Sequence, residues 1–151
     1  SIEKMQNDGL IITGESGTGK THLAASIANK LIENDKIVLM GRLTMLLDMI
    51  KETFRDNTKS ENELIELYSN VDMIIIDDLG TECLNSMKLS ELFTILNTRI
   101  LNLNNTVTKT IISTNLNINN IFKSYEERIG SRIVGYYDIY YFFGEDLRFK
   151  R

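Results

Sequence analysis

The stretch that decides the fold is Gly14-Glu15-Ser16-Gly17-Thr18-Gly19-Lys20-Thr21, which matches the pattern G-x-x-x-x-G-K-[ST] at every fixed position. Glycines let backbone N–H groups turn inward around phosphate oxygens, and a helix that starts here directs its positive N-terminal end at the same place. The lysine would bridge the β and γ phosphates of a nucleotide, and the threonine hydroxyl would bind Mg²⁺. The stretch therefore predicts a phosphate-binding loop.

The segments on both sides of this loop have the periodicity that such a loop needs. Residues 10–13 form a short apolar run that ends at Gly14, which is typical of a buried strand. From Thr21 onward the apolar residues recur at helical spacing until the polar turn at 33–36. Strand, glycine loop and helix thus follow one another in the order that phosphate binding requires.

The remainder of the chain continues the alternation of strands and helices. Further strands are predicted at 37–40, 71–76, 110–113 and 139–143. The predicted helices lie at 43–54, 64–68 and 89–103, followed by two short helical pieces at 118–125 and 128–134. Strands that alternate with helices form right-handed crossovers, so we predict an α/β fold of three layers with a five-stranded parallel sheet.

Two acids follow a strand that is apolar enough to be buried on both faces. Asp77 at the strand end would hold Mg²⁺ through water, together with Thr21. Asp78 is placed to polarise an attacking water, and Glu82 is a competing candidate for that base. From residue 60 to 87 the chain has seven acids and no Lys or Arg, so a cation, solvent or a basic partner must offset their repulsion.

Asn115 ends another predicted strand with an uncharged polar side chain. If that strand lies between the strand before the glycine loop and the strand of Asp77, its amide can hydrogen-bond the γ-phosphate or the lytic water. The aromatic run at 136–143 permits two interpretations, a base-stacking platform or a strand whose rings pack in the core. We favour the core strand.

Composition limits the partners of the protein. The chain has 151 residues, 42% of them hydrophobic, and a net charge of -4, so we predict one domain over residues 1–151 without a general affinity for nucleic acid. Local basic residues could still contact single-stranded DNA, and the candidates are Arg42, Lys51, Arg55 and Lys59. No apolar run reaches the length of a membrane span, and the single cysteine excludes an internal disulfide, so we expect a cytoplasmic protein without membrane contact.

Four pieces of the chain together resemble one family. They are residues 14–21 with the His-Leu-Ala that follows, Asp-Asp-Leu-Gly-Thr-Glu at 77–82, Ser-Thr-Asn-Leu at 113–116 and Glu-Arg-Ile-Gly-Ser-Arg-Ile at 127–133. This set is similar to the AAA+ core of bacterial replicative helicase loaders of the DnaC/DnaI type, and IstB transposition helpers share it. The resemblance implies an ATPase that assembles with copies of itself.

The resemblance also assigns roles to single residues. Asn115 resembles the sensor 1 residue, and Arg132 resembles the arginine finger that reaches the ATP of a neighbouring subunit, with Arg128 as a possible assistant. Arg148 resembles the sensor 2 arginine that closes on the phosphates within the same subunit. His22 resembles the last residue of the family's Gly-Lys-Thr-His run and counts with the nucleotide-binding loop.

The function implied by the resemblance is Mg-ATP hydrolysis by a helicase loader in DNA replication, with ATP and Mg²⁺ as cofactors. Its partners would be a replicative helicase, other copies of the chain and single-stranded DNA. The pattern of residues further suggests the C-terminal part of a longer loader, without the N-terminal helicase-binding region and without a helical lid. Hydrolysis is expected to be weak, because Asp78 is one methylene shorter than the glutamate of many AAA+ proteins, and to be stimulated by self-assembly or DNA.

Three alternatives remain open at this stage. The ATPase could help a transposase instead of a helicase, or the chain could be a monomeric P-loop phosphotransferase. It could also be a nucleotide-dependent binding module that hardly hydrolyses. The sequence leaves open the size of the oligomer and the selectivity for ATP over GTP.

Overall fold

The computed structural model describes residues 9–55, 61–80, 82–101 and 108–143 of the chain. Within these ranges, helices and strands alternate much as the periodicity predicts. The elements are β1 (Gly9–Gly14), α1 (Lys20–Ile32), β2 (Val38–Arg42), α2 (Leu43–Arg55), α3 (Glu61–Asn70), β3 (Met73–Leu79), α4 (Ser86–Leu101), β4 (Lys109–Thr114), α5 (Ile118–Tyr136) and β5 (Tyr137–Phe142).

The five strands form one parallel sheet in the order β2-β3-β4-β1-β5, which confirms the predicted fold class. β4 lies between β1 and β3, so the condition placed on Asn115 is met. Because all strands are parallel, their carboxyl ends meet at one edge of the sheet. The glycine loop after β1, the acids at the end of β3 and Asn115 after β4 therefore lie at the same edge.

Alternate residues of the central strands face two hydrophobic cores, one on each side of the sheet. On one side, Ile12 and Ile75 pack with Ala24 and Ala28 of α1. On the other side, Ile11 and residues of its neighbouring strands pack against helices α2 to α5. Full burial of an aliphatic side chain contributes about 1.5–3 kcal/mol, so these two cores hold the strand ends of the site in place.

A single buried guanidinium joins the ends of three segments. Arg99 of α4 is 2% exposed, and it donates hydrogen bonds to the backbone oxygens of Tyr68, Val71 and Lys109 and to the hydroxyl of Thr110. Burial lowers the pKa of Arg99 to about 10, so it remains charged at neutral pH. In the described part of the chain, no helix combines the length and the apolar character needed to cross a bilayer.

β3 extends further than the sequence predicts, because it runs through both acids to Leu79. Its pairing with β4 shifts between Ile76 and Leu79, and Asp78 has a φ of 55°. Aspartate tolerates this left-handed conformation better than most residues, and an irregularity of this kind re-aims side chains next to functional sites. The shift interrupts the pairing of both acids with β4, while Asp77 stays in register with Arg42 of β2.

β5 corrects the prediction for the aromatic run. The strand begins at Tyr137 instead of residue 139, and only Tyr137 of the run is buried, while Tyr140, Tyr141 and Phe143 are 57%, 55% and 89% exposed. The core interpretation is therefore wrong for these three rings. The reason is that β5 is an edge strand with β1 as its neighbour, so part of its surface has no layer packed on it in the described residues.

The two helical pieces predicted near residues 118–134 are confirmed: α5 consists of two helical parts that are separated by a kink. Tyr125 and Glu126 have non-helical backbone angles, and Glu126 has a φ of 65°. α4 ends at Leu101, and the predicted continuation to residue 103 lies outside the described residues.

Candidate functional site

A cavity of about 410 Å³ opens at the carboxyl edge of the sheet. Its walls come from the glycine loop, the start of α1, β3 and the end of β4. The lining residues are Ser16, Gly17, Gly19, Lys20, Thr21, His22, Asp78, Ser113 and Asn115. Sites for small molecules usually have volumes of about 300–1,000 Å³, so this cavity is large enough to hold the phosphates of a nucleotide.

The glycine loop has the backbone that its sequence predicts. Gly19, with a φ of 95°, is the N-cap of α1 and has no side chain to bond the first N–H groups of the helix. A side chain at Gly14 would overlap the backbone oxygen of Phe142, so this position accepts only glycine. The N–H groups at the start of α1 thus point to a place where an anion can bind.

Lys20 is held inside the loop by the loop itself. Its Nζ donates to the backbone oxygens of Gly14 at 2.7 Å and Glu15 at 2.6 Å, and contacts Oγ1 of Thr18 at 3.3 Å. Burial lowers the pKa of Lys20, while the nearby carboxylates of Asp78 and Asp77 act in the opposite direction. The ammonium therefore lies at the loop, where phosphate oxygens could replace the carbonyl oxygens.

Two hydroxyls, one from α1 and one from β4, bind the carboxylate of Asp77 at the end of β3. The hydroxyl of Thr21 donates to both carboxylate oxygens of Asp77, at 3.0 Å and 3.2 Å. The hydroxyl of Ser113 donates to Oδ1 of Asp77 at 2.6 Å and accepts the backbone N–H of Asp78 at 2.9 Å. The sequence does not mark Ser113 as a site residue, since its contact with Asp77 depends on β4 lying next to β3.

The donor set around Asp77 fits Mg²⁺. Hydroxyl and carboxylate oxygens are hard ligands of the kind that Mg²⁺ prefers, and this ion keeps several waters and is usually bound by one or two carboxylates together with phosphate oxygens. Among the residues that the structure describes, no group of three or more His, Cys, Asp or Glu side chains forms an alternative metal site. Thr21 and Asp77 are thus the residues that could hold the ion.

Asp78 lines the cavity and is paired with a cation from β2. Nη2 of Arg42 lies 3.2 Å from Oδ2 of Asp78. Arg42 is thus a cation that offsets part of the repulsion in the acidic stretch at 60–87. The pair itself has no signal in the sequence, because the two residues are 36 positions apart.

Asn115 and Glu82 occupy different surroundings. Nδ2 of Asn115 donates to Oγ of Ser16 in the glycine loop at 2.9 Å, so its amide lies at the cavity. Oε1 of Glu82 accepts the hydroxyl of Tyr125 at 2.6 Å and the N–H of Gly80 at 3.2 Å, and Glu82 is not among the residues that line the cavity. Of the two candidate bases, Asp78 is the one that the fold places at the cavity.

The arginines of α5 lie away from the cavity of their own chain. Arg128 pairs with Glu126 at 3.1 Å, and its guanidinium lies 4.6 Å from the ring centre of Phe93. The guanidinium of Arg132 lies 5.9 Å from the ring centre of Tyr136. Neither arginine lines the described cavity.

Some of the predicted site residues lie outside the part of the chain that the structure describes. Arg148 and Lys59 lie outside the described residues, and the side chain of Arg55 does as well. Arg42 and Lys51 are exposed in the part of the chain that the structure describes, so both are accessible to a partner.

The parallel sheet, the glycine loop with its lysine and threonine, and an acid at the end of the strand beyond β4 together define a P-loop NTPase core of the AAA+ type. The model of the IstB-like ATP binding protein family matches residues 2–129. The chain belongs to this family of ATP-binding proteins, and its AAA+ core is of the DnaC type.

Individual relatives agree with this assignment. Over 72 residues the chain is 42% identical to the replicative helicase loader DnaC of Escherichia coli strain K12, which corresponds to 48% of this chain and 29% of that protein. AMPPCP-bound DnaA from Aquifex aeolicus shares the fold with a TM-score of 0.81 and 23% identity over 99% of this chain and 45% of that chain. A crystal structure of the DnaC helicase loader has a TM-score of 0.73 and 22% identity over 94% of this chain and 84% of that chain.

The match to the curated loaders is local. It spans about 30% of the length of the DnaC proteins from Escherichia coli and Buchnera aphidicola. The comparison therefore supports the class of the ATP-binding core, and the activity of a whole loader is a separate question.

Proposed function

We propose that the protein binds and hydrolyses Mg-ATP and acts in DNA replication as a replicative helicase loader. The observation that carries the ATPase proposal is the contact between Thr21 and Asp77, 56 positions apart in the sequence and 3.0 Å apart at the site. A P-loop hydroxyl and a strand-end carboxylate at this distance are the pair that binds the ion of Mg-ATP in P-loop NTPases.

The phosphates would bind in the glycine loop. The N–H groups that follow Gly19 and the ammonium of Lys20 would bind the β and γ phosphates, and Lys20 would exchange the oxygens of Gly14 and Glu15 for phosphate oxygens. His22 lines the same cavity and would contact the nucleotide. The ATP-binding family to which the chain belongs supports ATP as the nucleotide.

Thr21 and Asp77 would hold Mg²⁺, which neutralises charge that develops on the phosphates. Asp78 would accept a proton from the attacking water, and Asn115 would orient that water or the γ-phosphate. The shared location of Asp78 and Asn115 at the cavity supports both roles. The pair with Arg42 restrains the carboxylate of Asp78, which supports weak hydrolysis by the isolated chain.

Arg132 would complete the site of a neighbouring subunit. Arg132 does not line the cavity of its own chain, and this position supports a role in the site of another subunit. An arginine supplied in this way raises the rate by about 10³-fold or more in well-studied NTPases. Arg148 is proposed as the arginine that closes on the phosphates within the same chain.

The loader function rests on the 42% identity to DnaC of Escherichia coli, a replicative helicase loader. A replicative helicase and other copies of the chain are the proposed partners, in the cytoplasm. Single-stranded DNA would contact the exposed basic residues Arg42 and Lys51, with Arg55 and Lys59 of the same region.

The deciding experiment measures ATP turnover against protein concentration, with and without single-stranded DNA, for the native chain and Arg132→Ala. We expect turnover to rise more steeply than protein concentration, and Arg132→Ala to abolish turnover while a fluorescent ATP analogue still binds. Linear turnover that is insensitive to Arg132→Ala would instead indicate a self-contained site, as in a monomeric P-loop phosphotransferase.

A second experiment separates the loader from a transposition helper, which the IstB-like family also allows. The ATP-bound chain is mixed with a purified bacterial replicative helicase or with a transposase, and complexes are detected by light scattering. Binding to the helicase that requires ATP and is lost in Lys20→Ala supports loading. Binding to the transposase alone contradicts it.

A further inference from the structure

A hydrogen bond joins the segment after the two acids to the middle of α5. The hydroxyl of Tyr125 donates to Oε1 of Glu82 at 2.6 Å, and the same oxygen accepts the N–H of Gly80. Tyr125 belongs to α5, is 1% exposed and is part of the hydrophobic core between the helices and the sheet. Burial, followed by the bond to Glu82, raises the pKa of Tyr125, so the phenol stays protonated and remains a donor.

The Glu82 side of this bond is fixed to the nucleotide site. Gly80 has a φ of 112°, and a side chain there would come within 2.5 Å of Cδ1 of Leu116, so the backbone of this turn packs closely on the residue after Asn115. Thr114 donates to the backbone oxygen of Leu79 at 2.6 Å and accepts the N–H of Leu116 at 3.0 Å. The turn after β3 and the end of β4 thus form one connected unit.

At the other end of the hydrogen bond, Tyr125 lies at the kink of α5. Glu126 has φ 65° and ψ 153°, a conformation that is rare for residues other than glycine and costs about 1–3 kcal/mol. Such a conformation persists only where its surroundings hold it. The helical part at 127–136 starts directly after this residue and carries Arg128 and Arg132, so the kink sets the direction in which both arginines point.

We propose that Tyr125, through its hydrogen bond to Glu82, is a positioning residue that fixes the direction of residues 127–136 relative to the nucleotide site of its own chain. The inference rests on the proposed role of Arg132 toward a neighbouring subunit and deepens it. The bond connects the segment next to Asp77 and Asp78 with the arginine that the same chain offers to the next site.

This role assigns Glu82 to positioning and not to proton transfer. Glu82→Gln keeps an oxygen that can accept both the Tyr125 hydroxyl and the Gly80 N–H, but it cannot act as a base. Glu82→Ala removes both bonds. We therefore expect Glu82→Gln to keep most of the turnover, and Glu82→Ala to lower it by about 10-fold or more, since small displacements of a reacting group reduce rates by such factors.

Mixed assemblies test the direction of the effect. Lys20→Ala chains lack a working site but offer Arg132, and Arg132→Ala chains have a site but lack the arginine. Each variant alone should be inactive, and their mixture should regain turnover at the interfaces that combine both intact parts. Tyr125→Phe is then added to one parent at a time, and unfolding curves confirm that each chain is folded.

We expect Tyr125→Phe to lower the regained turnover by about 10-fold or more when it is in the Lys20→Ala chain, which supplies the arginine. In the Arg132→Ala chain the same change should leave turnover within about twofold. If Tyr125→Phe prevents folding, Glu82→Ala takes its place, with Glu82→Gln as the matched control.

Three results would overturn the inference. Equal effects of Tyr125→Phe in both parents would mean a general structural role, and no effect in either parent would mean that the bond does not position the arginine. A loss with Glu82→Gln as large as with Glu82→Ala would make Glu82 a proton acceptor. If the unmodified parents regain no turnover, the proposed role of Arg132 fails first, and the inference fails with it.

Discussion

Ser113→Ala removes a hydroxyl that connects the two acids of the site, and we expect it to lower the affinity of the nucleotide-bound site for Mg²⁺. Ser113 is 1% exposed and donates to Asp77 at 2.6 Å while it accepts the N–H of Asp78 at 2.9 Å. Without this hydroxyl, the bonds from Thr21 are the part of this network that still holds the carboxylate of Asp77. The carboxylate is then held less firmly in the orientation that suits the ion.

The size of the effect follows from the type of bond. A hydrogen bond to a charged group contributes about 1.5–3 kcal/mol, which equals roughly 10- to 100-fold in an equilibrium constant. Groups that orient a metal ligand typically change metal affinity by about 10- to 100-fold when they are removed, so the two arguments agree. Because the N–H of Asp78 also loses its acceptor, the free energy of unfolding should fall by about 1 kcal/mol or more.

The assay is the titration of a fluorescent ATP analogue at increasing Mg²⁺, together with urea unfolding. The half-saturating Mg²⁺ concentration should rise by about 10-fold or more in Ser113→Ala. Ser69→Ala is the matched control, because Ser69 is 4% exposed and its hydroxyl donates to the backbone oxygen of Ile65 within α3, away from the acids of the site. An unchanged Mg²⁺ requirement in Ser113→Ala, with stability lowered as in Ser69→Ala, would refute the reasoning.

Three further predictions concern the loop and the core. Burial lowers the pKa of Lys20, and bound phosphate would raise it again. Nucleotide affinity should therefore fall as the pH rises through the lowered pKa of the free protein. Binding in this pH range should take up protons, which calorimetry in buffers of different ionisation enthalpy detects. Arg99→Met should lower the free energy of unfolding in urea by about 3 kcal/mol, since backbone oxygens lose a buried donor, whereas Arg42→Met at an exposed pair should change it by less than about 1 kcal/mol. Gly14→Ala should abolish binding of the fluorescent analogue, because its methyl group overlaps the oxygen of Phe142, and retained binding would contradict the loop geometry.

The parts of the fold that could be predicted were those with a strong local signal. The glycine loop has a fixed spacing, and the apolar runs before Gly14 and Asp77 are too short for helices and bounded by turn residues. The sequence does not specify which strands are neighbours. The role of Asn115 could therefore be predicted only on the condition that β4 lies between β1 and β3. The structure supplies that order.

What the sequence could not provide depends on contacts between distant residues. The Arg42 to Asp78 pair and the Ser113 bridge join positions about 35 apart through adjacent strands, and no periodicity marks them. The aromatic run at 136–143 gives the wrong prediction because a run of rings has the same pattern in a central strand and in an edge strand. Only the position of β5 at the side of the sheet shows that Tyr140 and Tyr141 are exposed.

The strand order also determines when the nucleotide site can form during synthesis. Of the five strands, β1 is synthesised first, yet its partners in the sheet are β4 and β5, which begin at residues 109 and 137. At about 5–20 residues per second, the first strand waits several seconds before a neighbour exists. Among the elements of this sheet, the phosphate loop is therefore translated early and assembled late, and a nascent chain that ends before β4 has neither of the strands that pair with β1.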